Sequence, residues 1–196
     1  MWGADEGPGC LDSPGVCHLH AFDPRLYVGN EVAAAHGDFD VVVSTVCPRG
    51  RDGVAALQLT THAVMFADGQ GRESDEAAEL ARQCILRAAA LVEAAVASGK
   101  TVLVHCAWGQ NRSCAICCAF AVLYRGFGAD EAIAYVRERN LAERSYRGQQ
   151  PPRGGAMHNA VFCELVARIE RDRAALIEPK EPPARSELPQ ESSAPA

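Results

Sequence analysis

Two hydrophobic periods alternate along this chain, and each switch between them marks an element boundary. Arg25-Leu-Tyr-Val-Gly-Asn30 reads as a first strand ending in a turn, and Glu31 to His36 as a short helix. Val41 to Val46 is dominated by β-branched residues and reads as a buried strand. Leu57 to Ala67 supplies another strand or two, and Asp68 to Glu73 is a polar loop with two glycines. The period then becomes helical. Ser74 is a good N-cap, with Asp75 and Glu76 in the first turn, where their charge suits the helix dipole. This helix runs to about Ser98, and Gly99 stops it. Leu80, Cys84, Ala88, Leu91, Val92 and Ala95 form its expected inward stripe.

Val102 to Val104 is a further buried strand, and Cys114 to Tyr124 is a helix apolar on all sides, hence buried. Gly126 and Gly128 turn the chain into a shorter helix, Asp130 to Arg139, with Ile133 and Val136 inward. Ser145 to Gly155 is a loop rich in Gln, Pro and Gly. A last helix over Ala156 to Ala174 buries Val161, Phe162, Leu165, Val166 and Ile169. Strands alternating with helices predict an α/β fold: a single domain with a mainly parallel central sheet and helices on both faces. We expect a loose Gly- and Pro-rich segment over 1–21, the folded domain over 22–177 and a disordered Pro-, Glu-, Ser- and Ala-rich tail over 178–196.

Composition narrows the function classes. A net charge of −6 disfavours nucleic acid and anionic lipid as partners. No apolar run approaches the roughly 18 residues needed to cross a bilayer. Met1 to Pro14 lacks the basic start and apolar core of a signal peptide. The nine cysteines are odd in number and spread over expected strands and helices. They read as reduced thiols of a cytoplasmic, or nuclear, protein.

The chemistry concentrates in Thr101-Val-Leu-Val-His-Cys-Ala-Trp-Gly-Gln-Asn-Arg-Ser113, a strand, a tight loop and the start of the buried helix. The loop carries Cys106 and Arg112 with five residues between them. Successive backbone N–H groups of such a loop form an anion nest, and the helix N-terminus adds to the field. Arg112 can grip two phosphate oxygens at once. The positive field favours a thiolate at Cys106, and Gly109 lets the backbone turn tightly. The arrangement suits holding a phosphate dianion against a sulfur nucleophile, with the phosphate-binding loop between a central strand and a buried helix.

With that context, His105-Cys-Ala-Trp-Gly-Gln-Asn-Arg-Ser113 resembles the signature loop of the cysteine-dependent protein tyrosine phosphatases, of the small dual-specificity type. Leu26-Tyr-Val-Gly29 is similar to an opening strand common in that family. The resemblance covers about residues 22 to 170. It implies an enzyme, a phosphomonoester hydrolase acting on phosphotyrosine and phosphoserine or phosphothreonine proteins through a phosphocysteine intermediate. Cys106 would be the nucleophile, Arg112 and the backbone of Ala107, Trp108, Gly109, Gln110 and Asn111 the phosphate cradle, and Ser113 a hydrogen-bond donor to the leaving thiolate. His105 would orient the loop. The general acid would come from an upstream aspartate: Asp68, in Phe66-Ala-Asp-Gly69, with Asp75 as the rival. The gap from Asp68 to Cys106 is longer than the family pattern. Cys47, in Thr45-Val-Cys-Pro-Arg49, resembles a position where some relatives carry a redox partner for the nucleophile.

Trp108 and Asn111 are expected at the rim or facing outward. Trp108 there could stack on a substrate ring or pack on a neighbouring loop. Asn111 before Arg112 is similar to the RNA 5′-triphosphatase branch, which leaves an RNA 5′-phosphatase as one alternative and a non-catalytic phosphoprotein-binding module as another. Cys10, Cys17, His18 and His20 match no familiar zinc spacing, and Cys114-x-x-Cys117 reads as core packing. No metal and no cofactor is required by this chemistry.

Overall fold

The computed structural model describes residues 15–36, 38–46, 60–64, 66–67, 74–146 and 154–177. Five strands, β1 (Val16–His18), β2 (Leu26–Gly29), β3 (Val41–Ser44), β4 (Thr60–Ala63) and β5 (Val102–His105), form one sheet in the order β1-β2-β5-β3-β4. All neighbours are parallel except β1 and β2. β5 is therefore central, and its carboxyl end is flanked by the ends of β2 and β3.

Alternation along each strand separates two cores. Leu26, Val28, Val41, Val43, Val102 and Val104 face the larger core. Tyr27, Val42 and Leu103 face the smaller one with Ala33 of α1 (Glu31–His36) and Phe39. The larger core takes α2 (Asp75–Ala97), α3 (Arg112–Phe120), a π-helical turn (Ala121–Arg125), α4 (Ala129–Tyr146) and α5 (Ala160–Arg171). A short α6 (Arg173–Ile177) follows. Helices thus cover both faces of a mainly parallel sheet, the expected α/β fold.

Several elements depart from the sequence reading. The segment 1–21, expected to be loose, contains β1. Val16, Cys17 and His18 pair antiparallel with Gly29, Val28 and Tyr27, and His18 stacks on Tyr27 with ring centroids 4.5 Å apart. Three strand residues between glycine, proline and a turn leave too short a pattern to read.

Ser74 does cap α2, accepting from Ala77 N at 3.3 Å, and Gly99 ends it at φ +78°. The buried stripe, however, is Ala81, Ile85, Ala88, Ala89, Val92 and Val96, and Leu80 is 60% exposed. The expected stripe was rotated by about one residue. Alanines occur on several faces of this helix, so the apolar pattern fixes its period better than its phase. The buried alanines on this stripe share the larger core with the buried apolar residues of α3.

The helix expected at Asp130 to Arg139 continues to Tyr146. The last long helix starts at Ala160, not Ala156, because Met157 sits at φ +52° and Asn159 caps the helix by accepting from Val161 N at 3.0 Å.

Candidate active site

The loop after β5 is fixed from both sides at its first residues. Cys106 N donates to Gly29 O of β2 at 3.3 Å, and Thr45 donates its N–H to His105 O at 3.0 Å. The Thr45 hydroxyl reaches the same carbonyl at 3.2 Å. The loop thus leaves the centre of the sheet at its carboxyl end, where open α/β sheets place ligands.

Cys106 is 1% exposed and lies inside the curl of the loop. Two donors converge on its sulfur: Gly109 N–H at 3.1 Å and the Ser113 hydroxyl at 3.3 Å. Gly109 makes the curl possible. Its φ is +66°, and a Cβ there would lie 2.8 Å from the Gly29 carbonyl carbon and oxygen. Left-handed backbone and close approach to β2 both require glycine.

Arg112 opens α3. Its guanidinium donates to Thr45 O at 3.2 Å and to Phe66 O at 3.4 Å, so it links the chain leaving β3 to the chain leaving β4. Phe66 is buried against Phe162, with ring centroids 5.9 Å apart. Asp68 follows two residues later and lies outside the described residues, as does Cys47. Asp75 is described: it sits exposed in the first turn of α2 behind the Ser74 cap.

The far side of the loop is braced by residues that sequence reasoning missed. Asn140 of α4 donates its amide to Gly109 O at 3.3 Å. Met157 N donates to Gln110 O at 2.9 Å. Asn159 N donates to the Asn111 side-chain oxygen at 3.3 Å, and the Asn111 amide nitrogen lies 3.4 Å from His158 Nε2. Asn111 is accordingly only 5% exposed and turned inward, which corrects the expected outward orientation. Trp108 is 69% exposed at the rim, as expected.

Cys114, Cys117 and Cys118 are fully buried in α3, and burial pushes the pKa of each thiol up. They are core residues that stay protonated. Among the described residues no three His, Cys, Asp or Glu side chains group as metal ligands. None of the described helices is long and apolar enough to cross a membrane.

His105 is buried at the end of β5. Burial pushes its pKa down from 6.5 to about 4, with the backbone of Cys106 acting weakly in the opposite direction. The imidazole is therefore neutral at pH 7 and adds no positive charge beside Cys106. A pH effect on stability follows. As pH falls below 6.5 the unfolded chain protonates this histidine, while the folded protein does so only near 4. The contribution is complete above pH 6.5 and is lost between 6.5 and 4, by about 3 kcal/mol in total. Urea unfolding of wild type and His105→Gln at pH 7.5 and 5.0 tests this. Wild type should lose about 2 kcal/mol more than the variant over that interval. Equal losses would show that His105 is not responsible.

Residues 39–150 match the family described as "Dual specificity phosphatase, catalytic domain". The chain is similar to "Dual specificity phosphatase 28" of Mus musculus, 32% identical over 122 residues that span 61% of this chain and 72% of that protein. Two solved structures share the fold. Human DUSP28 superposes with a TM-score of 0.59 at 23% identity, covering 81% of this chain and 94% of that one. A mouse putative dual specificity phosphatase complexed with zinc tungstate superposes with a TM-score of 0.60 at 22% identity, covering 90% and 97%. With the strand–loop–helix around Cys106, Arg112 and Ser113 in place and more than half of the chain matched, the protein belongs to the dual specificity phosphatase family.

Proposed function

We propose that the chain is a cysteine-dependent protein phosphatase that hydrolyses both phosphotyrosine and phosphothreonine or phosphoserine, with Cys106 as nucleophile. The observation that carries this reading is the pair of donors, Gly109 N–H and Ser113 Oγ–H, aimed at the Cys106 sulfur in the loop that leads into Arg112.

The Cys106 sulfur attacks phosphorus in line, and the ester oxygen leaves with a proton from Asp68. The phosphocysteine then reacts with water, the P–S bond breaks and the thiolate is released into the Ser113 hydrogen bond. Arg112 and the loop N–H groups hold the equatorial oxygens, whose charge the transition state redistributes. His105, neutral and buried, shapes the loop from beneath. Asp68 is supported by chain position. It comes two residues after Phe66, whose carbonyl accepts from Arg112.

The binding-module reading leaves the converging donors on Cys106 without a purpose. The RNA reading loses its motivation, because the Asn111 side chain is spent on Asn159 and His158 within the domain. A turnover panel of phosphotyrosyl and phosphothreonyl peptides, RNA 5′-triphosphate and phosphoinositides tests the assignment. Both peptides should be hydrolysed, with kcat/KM above the other two classes. A preference for RNA or lipid, or strict dependence on phosphotyrosine, would overturn it.

A further inference from the structure

The segment Gly154–Asn159 is wound unusually tightly behind the phosphate loop. Gly154, Gly155 and Met157 all have positive φ, +93°, +70° and +52°. For a methionine that conformation is strained and persists only where the surroundings fix it. They do so here. Met157 is fully buried, and its carbonyl accepts from Arg137 at 2.7 Å and from the Cys163 thiol at 3.3 Å. The strained turn delivers two consecutive contacts to the phosphate loop: Met157 N to Gln110 O and Asn159 N to Asn111 Oδ1.

His158 lies between these two anchors, so its backbone cannot shift without disturbing the loop. Its ring is also seated. A Cβ added at Gly154 would lie 2.7 Å from the imidazole Cγ, so the missing side chain at 154 is what admits the ring. The tautomer follows from the partners. His158 Nδ1 lies 2.8 Å from Gly155 O, a carbonyl that can only accept, so Nδ1 carries the hydrogen. Asn111 Oδ1 is taken by the Asn159 N–H, so the Asn111 NH2 faces His158. His158 Nε2 must then be the bare acceptor for it, at 3.4 Å. Reversing the Asn111 amide is no remedy, because its NH2 would then oppose the Asn159 N–H.

We propose that His158 is a positioning residue of the phosphate loop: as an acceptor through Nε2 for the Asn111 amide, it holds the residue immediately before Arg112 in the conformation that receives a tetrahedral oxyanion. This rests on the phosphatase reading of the site and adds to it a residue 52 positions after Cys106 in the chain. The contact is a single, long hydrogen bond between the buried Asn111 amide and an exposed ring, so its effect is modest and graded. It acts on oxyanion affinity, because it fixes the loop and touches no reacting atom.

Two variants separate the acceptor from the shape. His158→Phe keeps a planar ring over Gly154 but offers Asn111 no acceptor. His158→Gln restores an acceptor for Asn111 and a donor for Gly155 O. The measurements are the inhibition constant of tungstate, kcat and KM for p-nitrophenyl phosphate, and the midpoint of thermal unfolding. In His158→Phe the tungstate constant and KM should rise about threefold to tenfold, with kcat changing less than twofold. In His158→Gln both constants should stay within about twofold of wild type. An unchanged Phe variant overturns the proposal. So does a Gln variant as weak as Phe at an unaltered unfolding midpoint, which would show that only the ring's shape matters. A wild type that neither turns over the substrate nor binds tungstate would instead overturn the reading of the site, and this inference with it.

Discussion

Cys106→Ser is expected to abolish turnover and to spare binding. Serine is one atom's size smaller at the nucleophilic position and remains protonated at neutral pH, so no anion is present to attack phosphorus. The binding parts do not depend on the sulfur. Gly109 keeps its left-handed turn because φ +66° and the approach to Gly29 are set by the backbone, and Arg112 is held by Thr45 and Phe66. A phosphopeptide should therefore bind the variant at least as tightly as a non-hydrolysed oxyanion binds wild type. Residual activity above about 1% of wild type, with no phosphocysteine trapped on rapid quenching of wild type, would refute the covalent route.

What the sequence made legible in this site, and what it hid, divides along a physical line. Cys106, Gly109, Arg112 and Ser113 lie within one short stretch bounded by a β-branched run and an all-apolar helix. Their spacing is set by local backbone geometry, and local geometry leaves a pattern. The brace does not. Asn140 and Met157 reach the loop by bonding to the carbonyls of Gly109 and Gln110, and a backbone acceptor carries no residue signature. Their separations of 31 and 47 positions have no period either. A faint sign of the turn was available in Gly154-Gly155 before the last helix, but Met157 at positive φ runs against residue preference, and tertiary contacts alone explain it. Asn111 was misread for the same reason: a polar residue in a loop is exposed by default, and only Asn159 and His158 turn it inward. At the fold level, the parallel strands and the caps of α2 were readable. The phase of α2 was not, because its alanines leave more than one face apolar.

Asp68→Asn is expected to slow hydrolysis of a phosphothreonyl peptide by about 10²-fold or more, and to do so in a way that depends on the leaving group. An alkoxide is a strong base and cannot leave without a proton. The tyrosine phenoxide, whose conjugate acid has a pKa of about 10, leaves more readily. p-Nitrophenoxide scarcely needs the proton at all. The loss should therefore be largest for phosphothreonine, smaller for phosphotyrosine and least for p-nitrophenyl phosphate. The position of Asp68 makes it the candidate. β4 lies beside β3, Val64 N donates to Ser44 O at 2.8 Å, and the Phe66 carbonyl lies 3.4 Å from Arg112 Nη1. Asp68 follows two residues further along the chain, outside the described residues, and is proposed on that position in the sequence. Asp75 has a different occupation, exposed in the first turn of α2, where a negative charge stabilises the helix N-terminus. Asp75→Asn should cost a few tenths of a kcal/mol of stability and leave the leaving-group dependence untouched. A general acid must also be protonated to act, so Asp68→Asn should remove the alkaline fall of kcat expected of wild type with the threonine ester. If Asp75→Asn produces the graded loss and Asp68→Asn does not, the proton comes from the helix and not from the chain beyond β4.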